Sequence, residues 1–164
     1  MHEKSIELLN KAVADELSAV HQYMYFHFHC EDQGFELLSG LFERTAIEEM
    51  QHIELLAERI IFLGGDVEMV ASTDVKKIQD VAKMLEMGIA MEQSSVRDYN
   101  LWANECSAHA DSGSKKIFER LVDDEERHYD QYDNEMNNLK RFGDRYLALQ
   151  SIESSKSMAS GTAE

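Results

Sequence analysis

Two short runs decide the fold: Glu49-Met50-Gln51-His52 and Glu125-Glu126-Arg127-His128. On a helix, residues three apart lie about 60° from each other and about 4.5 Å along the axis, so each Glu-x-x-His pair can hold one metal ion from a single helix. Each pair stands in a stripe of mostly apolar residues at heptad-like spacing. Around the first, the stripe reads Leu38, Phe42, Thr45, Glu49, His52, Leu56, Arg59 and Leu63; around the second, Phe118, Leu121, Glu125, His128, Tyr132, Glu135, Leu139 and Phe142. Two further stripes carry a carboxylate in the same kind of position. One runs Leu9, Val13, Glu16, Val20, Tyr23, His27, Cys30; the other runs Val81, Leu85, Gly88, Glu92, Ser95, Tyr99, Trp102, Cys106, His109. A buried, uncompensated carboxylate costs on the order of several kcal/mol or is forced to protonate. Four glutamates converging on one core also repel one another unless a cation sits between them.

Spacing makes the convergence a geometric expectation. The midpoint between Glu16 and Glu49 falls at the Asp32-Gln33-Gly34 turn signal, so folding there brings them level across an antiparallel hairpin. Glu92 and Glu125 have the same separation, with a midpoint just before Asp111-Ser112-Gly113. The shift that maps Glu16 onto Glu92 also maps Glu49 onto Glu125, His52 onto His128, Tyr23 onto Tyr99 and Cys30 onto Cys106. The chain is therefore read as a repeat of two helical hairpins. A lone Glu-x-x-His is usually a surface pair; two of them, each at the same distance after a stripe glutamate, point to a di-metal site. One Glu from each of two helices plus Glu-x-x-His from each of the others is the ligand set of ferritin-like di-iron carboxylate proteins.

The rest of the chain fits four long helices. Punctuation is confined to Asp32-Gln33-Gly34, Gly64-Gly65, Asp111-Ser112-Gly113 and Gly143, and there is no proline in 164 residues. The connection from Gly64 to about Val75 is longer than a hairpin needs, and a crossover there lets helices two and three run parallel. Asp144 is placed to cap a short fifth helix from Arg145 to about Ile152, and the Ser- and Ala-rich stretch from Ser154 to Glu164 reads as a disordered tail. The expected fold is all-α, a ferritin-like four-helix bundle with one long crossover between helices two and three and a short fifth C-terminal helix. Residues 1–153 form its single domain.

Composition narrows the function classes. Lys and Arg number 16 against 32 for Asp and Glu, a formal charge of -16, which opposes nucleic acid or an anionic membrane as partner and favours cations. Hydrophobic content of 43% excludes disorder along the whole chain. Two cysteines, Cys30 and Cys106, suit a reducing compartment, and the N-terminus shows no secretion signal, so a cytoplasmic protein is expected. No apolar run approaches the ~18 residues of a membrane span.

Carboxylate oxygens with one imidazole per metal suit Fe(II), Mn(II) or Zn(II), and open positions would admit oxygen. Tyr23 and Tyr99 each lie two helical turns after a stripe glutamate, on the same face; both donors to the ligand carboxylates and ordinary core tyrosines fit that placement. Beyond the ligand set, several runs resemble bacterioferritin. They are Asp15-Glu16-Leu17 through His21-Gln22-Tyr23, Ile47-Glu48-Glu49-Met50-Gln51-His52, Glu58-Arg59-Ile60-Ile61-Phe62-Leu63-Gly64, Asp124-Glu125-Glu126-Arg127-His128 and Gly143-Asp144-Arg145-Tyr146-Leu147. The resemblance covers roughly residues 4 to 152.

That resemblance implies an iron store, usually a hollow shell of 24 subunits built from twofold dimers, with ferroxidase activity. It implies two Fe ions per subunit, Glu16 and His52 terminal on one, Glu92 and His128 terminal on the other, and Glu49 and Glu125 bridging. The implied reaction oxidises Fe(II) with dioxygen or peroxide and deposits ferric mineral inside. It also implies a haem (iron porphyrin) shared between two subunits through Met50, and a ferredoxin-type reductant for iron release. A single step along a helix turns about 100°, so Met50 points away from the core that Glu49 and His52 face. A methionine in a haem-free dimer contact fits the same position. One departure is Glu43-Arg44-Thr45, where some members carry a histidine as an extra iron site on the inner surface; Arg44 would repel a cation.

Other readings fit less of the sequence. A rubrerythrin-like di-iron oxidase or peroxidase without storage usually brings a Cys-x-x-Cys domain, which is absent here. A dodecameric, DNA-protecting mini-ferritin is opposed by the charge of -16. His27 and His29 point about 200° apart on a helix and do not form a ligand pair. Cys30 and Cys106 lie equally far past Glu16 and Glu92, about 21 Å along their helices. Those helices are antiparallel, so the two thiols belong at opposite ends of the bundle.

Overall fold

The computed structural model describes residues 2–161. Five helices follow one another among these residues: α1 (Glu3–Asp32), α2 (Glu36–Phe62), α3 (Val81–Ala108), α4 (Ser112–Phe142) and α5 (Asp144–Gly161). The first two pack along their length as one hairpin, α3 and α4 as the other, matching the two repeats. No helix among the described residues is long and apolar enough to cross a membrane.

The crossover between α2 and α3 lies along α1, and the residues that clip it there are polar. The Asn10 amide donates to the Asp66 carbonyl at 2.9 Å and accepts from the Glu68 N–H at 3.1 Å. Ser18 Oγ accepts from the Thr73 N–H at 3.0 Å, and the Gln22 side chain pairs both ways with the Lys76 backbone at 2.7 and 3.0 Å. Near the end of α1, Gln33 reaches the Gln79 carbonyl. Contact positions rise together on both strands of this pairing, so the crossover runs parallel to α1 and delivers α3 to the end where α2 began. Helices α2 and α3 are therefore parallel, as the length of the connection predicts. Asn10, Ser18 and Gln22 are buried, and these bonds pair them with backbone groups of Asp66, Glu68, Thr73 and Lys76.

Helix ends follow local chemistry. Asp80 and Asp111 are N-caps, accepting from the Lys83 and Ser114 N–H groups at 3.0 Å. Gly143, at φ +60°, ends α4 in a conformation that strains other residues and turns the chain into α5. That last helix is longer than expected. Ser154, where the sequence suggests a tail begins, is buried, and the helix continues to Gly161 because Ser, Lys, Met and Ala do not break it. Residues 162–164 of the expected tail lie outside the described ones.

The core is split in two. One apolar block gathers Tyr23, Phe26, Cys30, Leu38, Phe42, Met84, Leu85 and Tyr132. The other gathers Leu9, Val13, Leu56, Ile60, Tyr99, Cys106, Phe118 and Leu121. Cys30 and Cys106 belong to different blocks, both free and buried. Along each of the four long helices, the two blocks are separated by a polar position. That polar layer is the site.

Candidate metal centre

Helices α1 and α3 each send one carboxylate into the gap, Glu16 and Glu92, while α2 and α4 each send a Glu-x-x-His pair. The structure brings all six together. Their ligand atoms fall into two groups, Glu16, Glu49, His52 and Glu125 in one and Glu49, Glu92, Glu125 and His128 in the other, with the atoms of each group within 4.8 Å of one another. His52 Nδ1 lies 2.8 Å from Glu49, 3.2 Å from Glu125 and 3.4 Å from Glu16. His128 Nδ1 lies 3.2 Å from Glu49, 3.1 Å from Glu125 and 3.7 Å from Glu92. Glu49 and Glu125 face both histidines; Glu16 faces only the first and Glu92 only the second.

All six are buried, His52 the most exposed at 6%. Yet Glu49 Oε2, His52 Nδ1, Glu92 Oε2 and Glu125 Oε1 make no well-aligned hydrogen bond, although they crowd against one another as ion pairs. Buried polar atoms are normally paired, and leaving one unsatisfied costs about 1–3 kcal/mol. Two donors at right angles on bonds of about 2.1 Å to one ion would sit about 3 Å apart, which is the crowding seen here. The orphaned atoms and their separations fit two cations.

Electrostatics agree. Burial and the neighbouring carboxylates push Glu16 and Glu92 well above the usual carboxylate range. Burial disfavours the charged form of His52 and His128, but the carboxylates around each ring overcome it and hold both imidazoles protonated. Burial would also raise Glu125; His128 and His52 beside it outweigh that and hold it low. Protons thus do the neutralising where no cation is present.

Around this layer the sequence reading meets a pattern it left open. The Tyr23 hydroxyl on α1 donates to Glu92 on α3, and the Tyr99 hydroxyl on α3 donates to Glu16 on α1 at 2.5 Å. Each tyrosine therefore serves the other hairpin's glutamate. Burial, then the adjacent carboxylates, keep both phenols protonated and available as donors. Two further carboxylates were not anticipated. Asp124 lies 3.3 Å from His52 Nε2, and Glu48 lies 2.8 Å from His128 Nε2, orienting both rings from outside. A signal existed: the shift that relates the two hairpins maps Glu48 onto Asp124.

Two openings reach the layer. Between α1, α3 and the crossover, a cleft of about 240 Å³ is lined by Asp15, Ser18, Ser72 and Asp98, with Glu49 and Glu92 among its walls. On the α2–α4 side a pocket of about 570 Å³ meets Glu48, His52, Asp124 and Arg127. Met50 does not join the cluster; it lies on the flank of α2, half exposed at 52%, with Ile47 also exposed a turn before it. Arg44 is exposed as well.

A family profile described as ferritin-like domain matches residues 6–142. The bacterioferritin of Desulfovibrio desulfuricans is 36% identical over 145 residues, which cover 88% of this chain and 81% of that one. The chain belongs to the bacterioferritin family. The bacterioferritin of Rhodobacter capsulatus is 33% identical over 147 residues, 89% of this chain and 91% of that protein. A solved bacterioferritin structure from D. desulfuricans, described as showing its di-iron site in different catalytic states, superposes with a TM-score of 0.88 at 35% identity. It covers 90% of this chain and 86% of that one. Family membership and the shared bundle agree with the ferritin-like fold that the repeat of two hairpins predicts.

Proposed function

We propose that this chain is the ferroxidase subunit of an iron-storing shell, working in the cytoplasm, with the bundle and its fifth helix as one functional domain. Glu16 and His52 hold one iron, Glu92 and His128 the other, and Glu49 and Glu125 bridge them. The observation that carries this is the buried layer of four carboxylates and two imidazoles, whose ligand atoms fall into two groups each within 4.8 Å. Four carboxylates balance two divalent ions in charge, whereas nothing else among the described residues offers that layer more than protons. Held side by side, two Fe(II) would supply the two electrons that, with two protons, reduce dioxygen to hydrogen peroxide or hydrogen peroxide to water, and the ferric product would pass into the shell as mineral.

The protein's share of this chemistry is positioning and electrostatics. Hard carboxylate oxygens favour the ferric over the ferrous state. Tyr23 and Tyr99 fix the terminal carboxylates, and Asp124 and Glu48 fix the imidazoles, so the ligands are in place before iron arrives. The oxygen-lined cleft beside Asp15 and Asp98 gives a dication a polar approach to Glu49 and Glu92. On the flank of α2, Met50 offers a soft thioether; in a twofold dimer with that flank at its interface, the two copies of Met50 would hold a haem. Haem there would carry electrons from a ferredoxin-type partner to release stored iron.

The deciding experiment replaces both bridging residues, Glu49→Ala with Glu125→Ala, and follows the initial rate of Fe(II) oxidation. Loss of the rapid phase with the helical fold retained is expected; an unchanged initial rate overturns the site. Native mass measurement tests the shell, for which 24 subunits are expected and a dimer or dodecamer is the contrary result. Met50→Leu should abolish the haem absorption band, and an unaltered axial-ligand spectrum would remove Met50 from that role.

A further inference from the structure

We propose that Arg127 governs how long metal stays in the centre, by clamping together the two carboxylates that hold both histidine ligands. This rests on the metal-site reading above. Each imidazole turns Nδ1 into the cluster and Nε2 outward. The outward contacts are crossed between helices: His52 on α2 meets Asp124 on α4, and His128 on α4 meets Glu48 on α2. A single guanidinium closes the pattern. Its Nη2 donates to Glu48 at 2.6 Å and to Asp124 at 2.9 Å, and Nη1 reaches Glu48 at 3.4 Å.

Burial explains why such a clamp matters. The two rings are enclosed, with side-chain exposures of 7% for His52 and none for His128, whereas Glu48 and Asp124 are about one-third exposed to the α2–α4 pocket. A partly solvated carboxylate can rotate into water and leave its histidine. Arg127 is the cation that touches both, so each carboxylate is held where a ring nitrogen needs it. Without that charge, Glu48 and Asp124 repel each other across the pocket and turn outward. Both imidazoles then lose their outer anchor together, and each is freer to rotate off its metal. Lysine cannot replace the arginine fully, because its ammonium is more strongly hydrated and lacks the second nitrogen that also reaches Glu48. Arg127 is thus a positioning residue, acting on the metal through the carboxylates and the rings they hold.

The test uses the assembled protein loaded with Co(II), which stays divalent and separates retention from oxidation chemistry. Release into excess chelator is timed for wild type, Arg127→Ala, Arg127→Lys and Arg120→Ala. Arg120 lines the same pocket and is the control for simply removing a positive charge there. Losing outer-shell support typically weakens a metal site about 10- to 100-fold, so release from Arg127→Ala should quicken about tenfold or more. Arg127→Lys should fall between it and wild type, Arg120→Ala should match wild type, and metal-free melting should be the same in all four. Equal release from Arg127→Ala and wild type overturns the clamp, as does an equal acceleration in Arg120→Ala. Failure of wild type to take up two Co(II) per subunit overturns the metal centre itself, which distinguishes that outcome from failure of the clamp alone.

Discussion

Filling the centre should expel protons, and the number can be worked from the site. The perturbation is titration of metal-free protein with Co(II) or Zn(II) in weakly buffered solution at about pH 6. Before the cation arrives, the surrounding carboxylates keep His52 and His128 charged, and burial with mutual repulsion keeps Glu16 and Glu92 protonated. Coordination requires neutral ring nitrogens and ionised carboxylates, so these groups give up protons as metal binds, up to about four per subunit for two cations. The joint binding constant should then rise steeply with pH, by about one decade per pH unit for each proton released. Calorimetry in buffers of different ionisation enthalpy counts the protons directly. Glu16→Gln, which has no acidic proton to lose, should lower the count by about one. Two cations bound with a release of one proton or fewer would refute the electrostatic account of the layer.

Metal-free stability should depend on pH in the corresponding sense. Glu16, Glu92, His52 and His128 all bind protons more tightly folded than unfolded, so their stabilisation is complete below the unfolded values of 4.5 and 6.5. It is lost as pH rises beyond them, and Tm should fall between about pH 6 and 9 unless cations are added, a flat or rising Tm being the contrary result. Glu125, held low, contributes in the opposite sense only on the acid side of 4.5. Tyr99→Phe removes the donor to Glu16 and should weaken binding at the Glu16–His52 position about tenfold in chelator competition. Gly88→Ala should cost about 1–3 kcal/mol in a thermal or denaturant melt, because the new Cβ would stand 3.0 Å from the ring of Tyr132. That ring packs against Tyr23 and Phe42, so a shift to admit the methyl would be passed on to them. Iron uptake should slow as ionic strength rises, since the charge of -16 steers dications only while unscreened; a salt-independent rate would exclude steering.

Much of this was legible because a metal layer violates the apolar pattern of a bundle. Glu16, Glu49, Glu92 and Glu125 stand where leucines belong, and equal spacing about the turns states that they meet. Tyr23 and Tyr99 could be found by the same spacing, but that each serves the opposite hairpin depends on how α1 faces α3, which no one-dimensional pattern records. Glu48 and Asp124 were hidden by their own position, a partly exposed carboxylate beside another carboxylate on an acidic surface. Arg127 left no trace in the repeat, because its counterpart in the first hairpin is Gln51. The length of α5 was missed for another reason. Ser- and Ala-rich sequence is permissive rather than directive, and burial of Ser154 against the bundle settles the choice.

The crossed ligation has a consequence for what counts as a complete unit. Neither hairpin completes a candidate metal position: Glu16, Glu49 and His52 of the first are grouped with Glu125, and Glu92, Glu125 and His128 of the second with Glu49. A hairpin by itself is half a chelator, and two copies of one hairpin, related by a twofold axis, would close the same polar layer. The crossover clipped by Asn10, Ser18 and Gln22 is what makes that pairing obligatory within one chain. In the language of assembly, the molecule is a tethered dimer, and the tether turns a concentration-dependent association into an internal one. Each half can then vary its own surface, as Arg127 and Gln51 show, while the shared layer stays closed.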